Sequence, residues 1–173
     1  MTDCLLPEDI VALAAKVIAA NAAQGRRVVL AESCTGGLVA AALTEIAGSS
    51  AVLDRSFVTY SNEAKQGLLG VPEEIIDTFG AVSIACAWAM AQGALKNSNA
   101  DVAVSISGIA GPDGGTPQKP VGLVVFARAE RGSEAIEAEE RRFEAKGRAD
   151  VRRQATRVAL DLLMPGSTLG DET

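Results

Sequence analysis

The chain has 173 residues, 48% hydrophobic but only 3% aromatic, so it can bury one sizeable core built from Ala, Val, Leu and Ile. A formal charge of −6 with so few aromatics leaves neither a basic groove nor a stacking platform for nucleic acid, and no basic stripe for a membrane surface. The absence of histidine removes the commonest general base and metal ligand.

Three cysteines, Cys4, Cys34 and Cys86, lie far apart without a CxxC pair. The N-terminus, MTDCLLPEDI, has no basic segment followed by an apolar one, and no apolar run reaches the roughly 20 residues of a bilayer span. A cytoplasmic protein with reduced thiols is expected, with no metal and no organic cofactor.

In chain order, Pro7-Glu8-Asp9 opens an amphipathic helix that ends near Gly25. VVLAES, residues 28–33, reads as a short buried strand, and Gly36-Gly37 begins a second helix that stops at Gly48. Arg55 to Tyr60 is a second strand, and Ser61 is a suitable N-cap for NEAKQGLLG. Pro72 starts a short helix to Phe79, and Ser83 caps another over Ile84–Lys96. Asp101 to Ser107 is the most apolar strand and runs into the loop GIAGPDGGTPQKP. PVGLVVFARAE and Glu134–Phe143 are two further strands, and Ala149 to Met164 is the last helix.

No repeat or linker divides this order. It predicts a three-layer α/β/α single domain with a mixed β-sheet, over residues 1–165, followed by a polar, disordered tail over 166–173. The small-residue helix Ile84–Lys96 packs either in the core or against a second copy, and a homodimer is expected.

Ligands bind beyond the carboxyl ends of strands in such sheets. The loops SCTGG, YSNEAK and SGIAGPDGG all follow strands, and their convergence is the predicted site. In the first, amides at a helix start suit a phosphate or an oxyanion, or else Ser33 or Thr35 simply caps that helix. Ser33 as a nucleophile needs a base other than histidine. Lysine, tyrosine, a carboxylate and the α-amine remain, and Lys65, beside Tyr60 and Asn62, is the preferred one, unless it is an ordinary exposed helical lysine paired with Glu63 or solvent. A lysine acting near neutrality must titrate about three units low, a cost of roughly 4 kcal/mol that burial supplies. Cys34 with Glu32 and Lys65 is a rival arrangement, ranked below because a buried cysteine is commonly a small hydrophobe. In the long third loop, Ser105, Ser107 and Asp113 add polar groups to glycines that admit close backbone approach. The basic cluster Lys146, Arg148, Arg152, Arg153 and Arg157 offers one or two phosphate grips. Most of it is expected to be a solvated face pairing with the acidic run Glu137–Glu144.

The ordered blocks AESCTGG, FVTYSNEAKQGLLGV, GAVS, VSISGIAGPDGG, KPVG and VRRQA resemble the CinA C-terminal domain family. Its enzymatic members are nicotinamide-nucleotide amidohydrolases, or NMN deamidases. The chain is similar to the stand-alone form, without the N-terminal domain of full-length CinA.

The resemblance implies hydrolysis of nicotinamide mononucleotide to nicotinic acid mononucleotide and ammonia, with Ser33 as nucleophile and Lys65 as its base. Tyr60 joins that catalytic set, and Asn62 orients the dyad or the substrate. Thr35, Gly36, Gly37, Ser107, Gly108 and Gly111 map onto substrate-binding loops. Arg148 maps onto the phosphate-binding arginine, although FEAKGR is one residue longer than the family's segment. A non-catalytic nucleotide-binding module using the same pocket is the alternative.

Overall fold

The structure, a computed structural model, describes residues 4–144 and 146–169. Helix α1 spans Glu8–Ala23, strand β1 Val28–Glu32, α2 Leu38–Thr44, β2 Leu53–Val58, α3 Asn62–Leu69, α4 Glu73–Phe79 and α5 Ile84–Lys96. Strands β3 (Val102–Gly108), β4 (Leu123–Glu130) and β5 (Glu137–Arg142) and helix α6 (Arg148–Leu162) complete it. A 3₁₀ turn over Ser49–Ala51, not foreseen, precedes β2, which begins at Leu53 rather than Arg55.

The sheet order is β2-β1-β3-β4-β5. β1 pairs in parallel with β2 and β3, whereas β3–β4 and β4–β5 are antiparallel. This is the expected three-layer α/β/α arrangement with a mixed sheet. Strand alternation divides the core in two. Val28, Leu30, Val102, Val104 and Ile106 face α1, α2 and α6. Val29, Ala31, Ala103, Val125 and Ala127 face α3, α4 and α5. All but two of these helices, α2 and α4, are longer than two turns, and the small residues Ala87, Ala91, Gly93 and Ala94 bring α5 close to its neighbours.

The sharpest approach is at Gly93, where an added Cβ would lie 2.0 Å from the carbonyl oxygen of Leu69 on α3. The α5 stripe that suggested a second copy is therefore used within the chain. Both serine caps form as read: Ser61 Oγ accepts from the Ala64 amide and Ser83 Oγ from the Cys86 amide. Past α6, the Ser167 hydroxyl donates to the Asp161 carbonyl, and Leu169 packs against the core. Of the tail expected to be disordered, residues 170–173 lie outside the described residues. No described helix is long and apolar enough to cross a membrane.

Candidate active site

At the carboxyl end of β1 the chain must turn sharply into α2. Gly36 and Gly37 take φ of +59° and +96°, values that glycine adopts without steric cost. The turn is anchored by a residue that sequence reading treated only as a possible partner of Cys34. Glu32, fully buried, accepts from the amides of Gly37 and Val39 at one oxygen and of Ala40 at the other, with the Ser56 hydroxyl as a fourth donor. Neither Ser33 nor Thr35 caps α2 by its side chain; the carboxylate of the preceding strand does. A favourable charge–dipole interaction at a helix start reinforces those bonds.

Alternation then sends Ser33 to the opposite face, toward α3. Its amide continues the ladder to the Ile106 carbonyl at 2.9 Å, and the Thr59 amide does the same to the Glu32 carbonyl at 2.8 Å. Thr59, Ser33 and Ser107 thus form a row of hydroxyl residues across β2, β1 and β3, one step beyond the paired positions.

Lys65 of α3 reaches this row from the side. Its Nζ lies 3.0 Å from Ser33 Oγ, 2.9 Å from the Thr59 carbonyl oxygen and 3.3 Å from that of Tyr60. The residue is 1% exposed, and burial pulls its pKa below the ordinary lysine value of 10.5. Two of its three neighbours are carbonyls, which only accept. A neutral amine satisfies both with its two N–H groups and turns its lone pair to the Ser33 hydroxyl. After taking a proton it donates all three ways with no movement. The arrangement therefore suits a base that picks up and returns one proton.

Cys34 is different. Its thiol is buried among apolar side chains, and burial pushes its pKa up to about 12. A thiol that stays protonated is a poor nucleophile, and Glu32, needed for a Cys–Glu–Lys set, is held by four donors.

The three strand-end loops meet around a cavity of about 280 Å³. Of the residues expected there, it is lined by Ser33, Tyr60, Asn62, Lys65, Ser107, Gly108, Gly111 and Arg148, with Cys34, Ala81, Val82, Ile109, Ala110, Asp113 and Gly114 completing the wall. Thr35, Gly36 and Gly37, expected to bind substrate, do not line it. The Gly36 amide donates to the Ser33 carbonyl and the Gly37 amide to Glu32, so neither is free for an oxyanion. The amides of Cys34 and Thr35 have no carbonyl or carboxylate acceptor among the described residues. The hydroxyls of Thr35 and Thr59, both buried, have no partner among the described residues.

The Tyr60 ring stands at the rim, 60% exposed, and its hydroxyl accepts from Arg148 Nη2 at 2.8 Å. Arg148 Nη1 donates to the Gly111 carbonyl, so this arginine ties the third loop to the second. Arg152, one helical turn further, donates to the carbonyls of Cys34 at 3.1 Å and Thr35 at 3.0 Å. Arg157 pairs with Asp9. The ion pairs of the acidic run, Glu137 with Arg128 and Glu139 with Arg141, do not involve this helix. Arg152 holds the first loop instead of joining the expected solvated face, and Arg148, expected at the substrate phosphate, links the second and third loops at the cavity.

The CinA C-terminal domain model matches residues 10–166. This chain belongs to the CinA C-terminal domain family. Against the nicotinamide-nucleotide amidohydrolase PncC of Escherichia coli K12 it is 52% identical over 163 residues, 94% of this chain and 95% of that protein. A competence/damage inducible protein from Agrobacterium tumefaciens, CihA, is similar in structure, with a TM-score of 0.89 and 52% identity over 92% of this chain and 96% of that one. A longer protein of the competence-damage inducible kind from Symbiobacterium thermophilum is 62% identical over 111 residues, 64% of this chain. The present chain spans 26% of that longer relative. The family blocks fall on the cavity: AESCTGG supplies Ser33, TYSNEAK supplies Tyr60, Asn62 and Lys65, and SGIAGPDGG supplies its third wall.

Proposed function

We propose that the chain is an amidohydrolase that converts nicotinamide mononucleotide to nicotinic acid mononucleotide and ammonia, through an acyl-enzyme on Ser33. The observation that carries this reading is the 3.0 Å contact between Lys65 Nζ and Ser33 Oγ, with the amine fixed by two carbonyls in a buried setting. A binding module has no use for a depressed lysine aimed at a serine. The near-full-length likeness to an amidohydrolase supplies the substrate class.

Neutral Lys65 takes the Ser33 proton as Oγ bonds to the carboxamide carbon. The proton passes to the amide nitrogen, the C–N bond breaks, and ammonia leaves. Water then adds to the acyl carbon, Lys65 again accepting a proton and returning it to Ser33 Oγ as the acid departs.

The oxyanion is assigned to the Cys34 amide, whose residue lines the cavity, with that of Thr35 behind it. Carbonyl and N–H of one trans peptide point opposite ways. With the Cys34 carbonyl drawn to Arg152 on α6, the Thr35 N–H is directed away from that helix. One such donor is worth about 10²–10³ in rate. Tyr60, Asn62, Gly108, Gly111 and Arg148 are assigned to holding the mononucleotide, with Arg148 and Tyr60 at the rim nearest a phosphate.

We place the protein in the cytoplasm, with a small-molecule substrate as its partner. Incubating the purified chain with nicotinamide mononucleotide, and following ammonia and the acid by mass spectrometry, tests the reading. Saturable binding with no product would replace it with a non-catalytic nucleotide-binding module.

A further inference from the structure

Ser107 stands next to Ser33 in the hydroxyl row, on the same face of the sheet and in the wall of the cavity. Its Oγ lies 2.7 Å from the carbonyl oxygen of Ala81. A carbonyl cannot donate, so the single Ser107 proton is committed to that bond, and only lone pairs remain for any other partner.

The Ala81 carbonyl is itself held in place. Lys119 donates to the carbonyls of Phe79 and Val82 on either side, and the Ser83 hydroxyl donates to that of Gly80. Every carbonyl from 79 to 82 therefore has a side-chain donor, which fixes the segment and keeps the Ser107 hydrogen where it is.

We infer that Ser107 is the residue that distinguishes amide from acid, its acceptor-only oxygen receiving the carboxamide nitrogen of the substrate. This deepens the amidohydrolase reading and rests on it. A primary amide presents an NH₂ group with two donors and no acceptor; the product presents a carboxylate with acceptors only. Facing Ser107, the first gains a hydrogen bond and the second meets lone pair against lone pair. The same oxygen accepts from the nitrogen as it is protonated and leaves as ammonia. With the nitrogen turned to Ser107, the carboxamide oxygen is turned toward the nucleophile turn and its free amides. Lys65 cannot make this distinction, because in its two protonation states it offers both a lone pair and donors.

The test uses calorimetry in the Ser33→Ala background, which prevents turnover, with nicotinamide mononucleotide and nicotinic acid mononucleotide as the two probes. Adding Ser107→Ala should shrink the preference for the amide over the acid by about tenfold, the worth of one hydrogen bond together with a relieved repulsion. Adding Ser107→Thr instead should leave the preference within about twofold, since the hydroxyl is retained. If the alanine variant does not fold, Ser107→Cys, whose sulfur is a weak acceptor, should give the same loss. Equal weakening of both probes would show a purely structural role and overturn the assignment, as would an unchanged preference. Turnover of the amide by the unsubstituted protein, measured first, separates the two claims. No turnover removes the underlying reading, whereas turnover with an unchanged preference removes only the role of Ser107.

Discussion

Arg152 Nε and Nη2 donate to the carbonyls of Cys34 and Thr35, so the last helix holds the two peptide groups that follow the proposed nucleophile. The planar guanidinium makes both bonds at once, which an ammonium on a flexible stem does not reproduce. Arg152→Lys should therefore lower kcat by about tenfold to a hundredfold, the scale expected of a sub-ångström displacement near reacting atoms. KM should change much less. A change confined to KM in steady-state ammonia assays would place Arg152 in substrate binding.

Removing either member of the dyad should be far more costly. Ser33→Ala and Lys65→Met should each lower kcat by roughly 10⁴ or more, and the double variant should be scarcely worse, since residues acting as a unit are not additive. Cys34→Ala should retain turnover within a few fold, because its thiol is held protonated by burial. Loss of activity in that variant, with Ser33→Ala still active, would exchange the two neighbours' roles.

Lys65 also gives a pH signature in two independent measurements. Activity needs the neutral amine, so kcat/KM should rise with pH through a midpoint below the ordinary value of 10.5. Between the lowered native pKa and the unfolded one, the unfolded chain binds a proton that the native one does not. Stability contributed by this group therefore rises with pH across that window. Lys65→Met should melt higher than the unsubstituted protein near neutrality, with the advantage narrowing as pH approaches 10.5. An advantage that does not vary with pH would mean that the native amine titrates like an exposed one.

Glu32→Gln tests the buried cap. The carboxylate accepts at both oxygens, whereas an amide must present NH₂ to one set of donors. A loss of about 1–3 kcal/mol in denaturant unfolding is expected, together with reduced kcat. Unchanged stability would mean that these amides find other acceptors.

The layers of the fold were legible because each element advertises itself locally. The run DVAVSIS can only be a strand buried on both faces, and Ser61 and Ser83 stand where helices need acceptors. Lys65 could be chosen as the base because histidine is absent and the sheet rule brings its loop to that of Ser33. What stayed hidden depends on paths between distant elements. Glu32 caps a helix across a turn whose two left-handed glycines no periodicity reveals. Arg152 bonds residues 117 and 118 positions away, so the nearby acidic run was the more visible partner. The commitment of the Gly36 and Gly37 amides has the same origin. Two glycines before a helix look like open donors until the carboxylate that fills them is located.

Gly93 lies on α5, outside the row of hydroxyls, and yet it governs how far a lysine can reach. Leu69, against whose carbonyl its bare Cα rests, is one helical turn from Lys65. The missing methyl group lets α3 settle to the depth at which an amine meets a hydroxyl. Any side chain at this position would lift the lever arm and open the gap at its tip, so the reactive distance is calibrated from a part of the molecule that never meets the reactants.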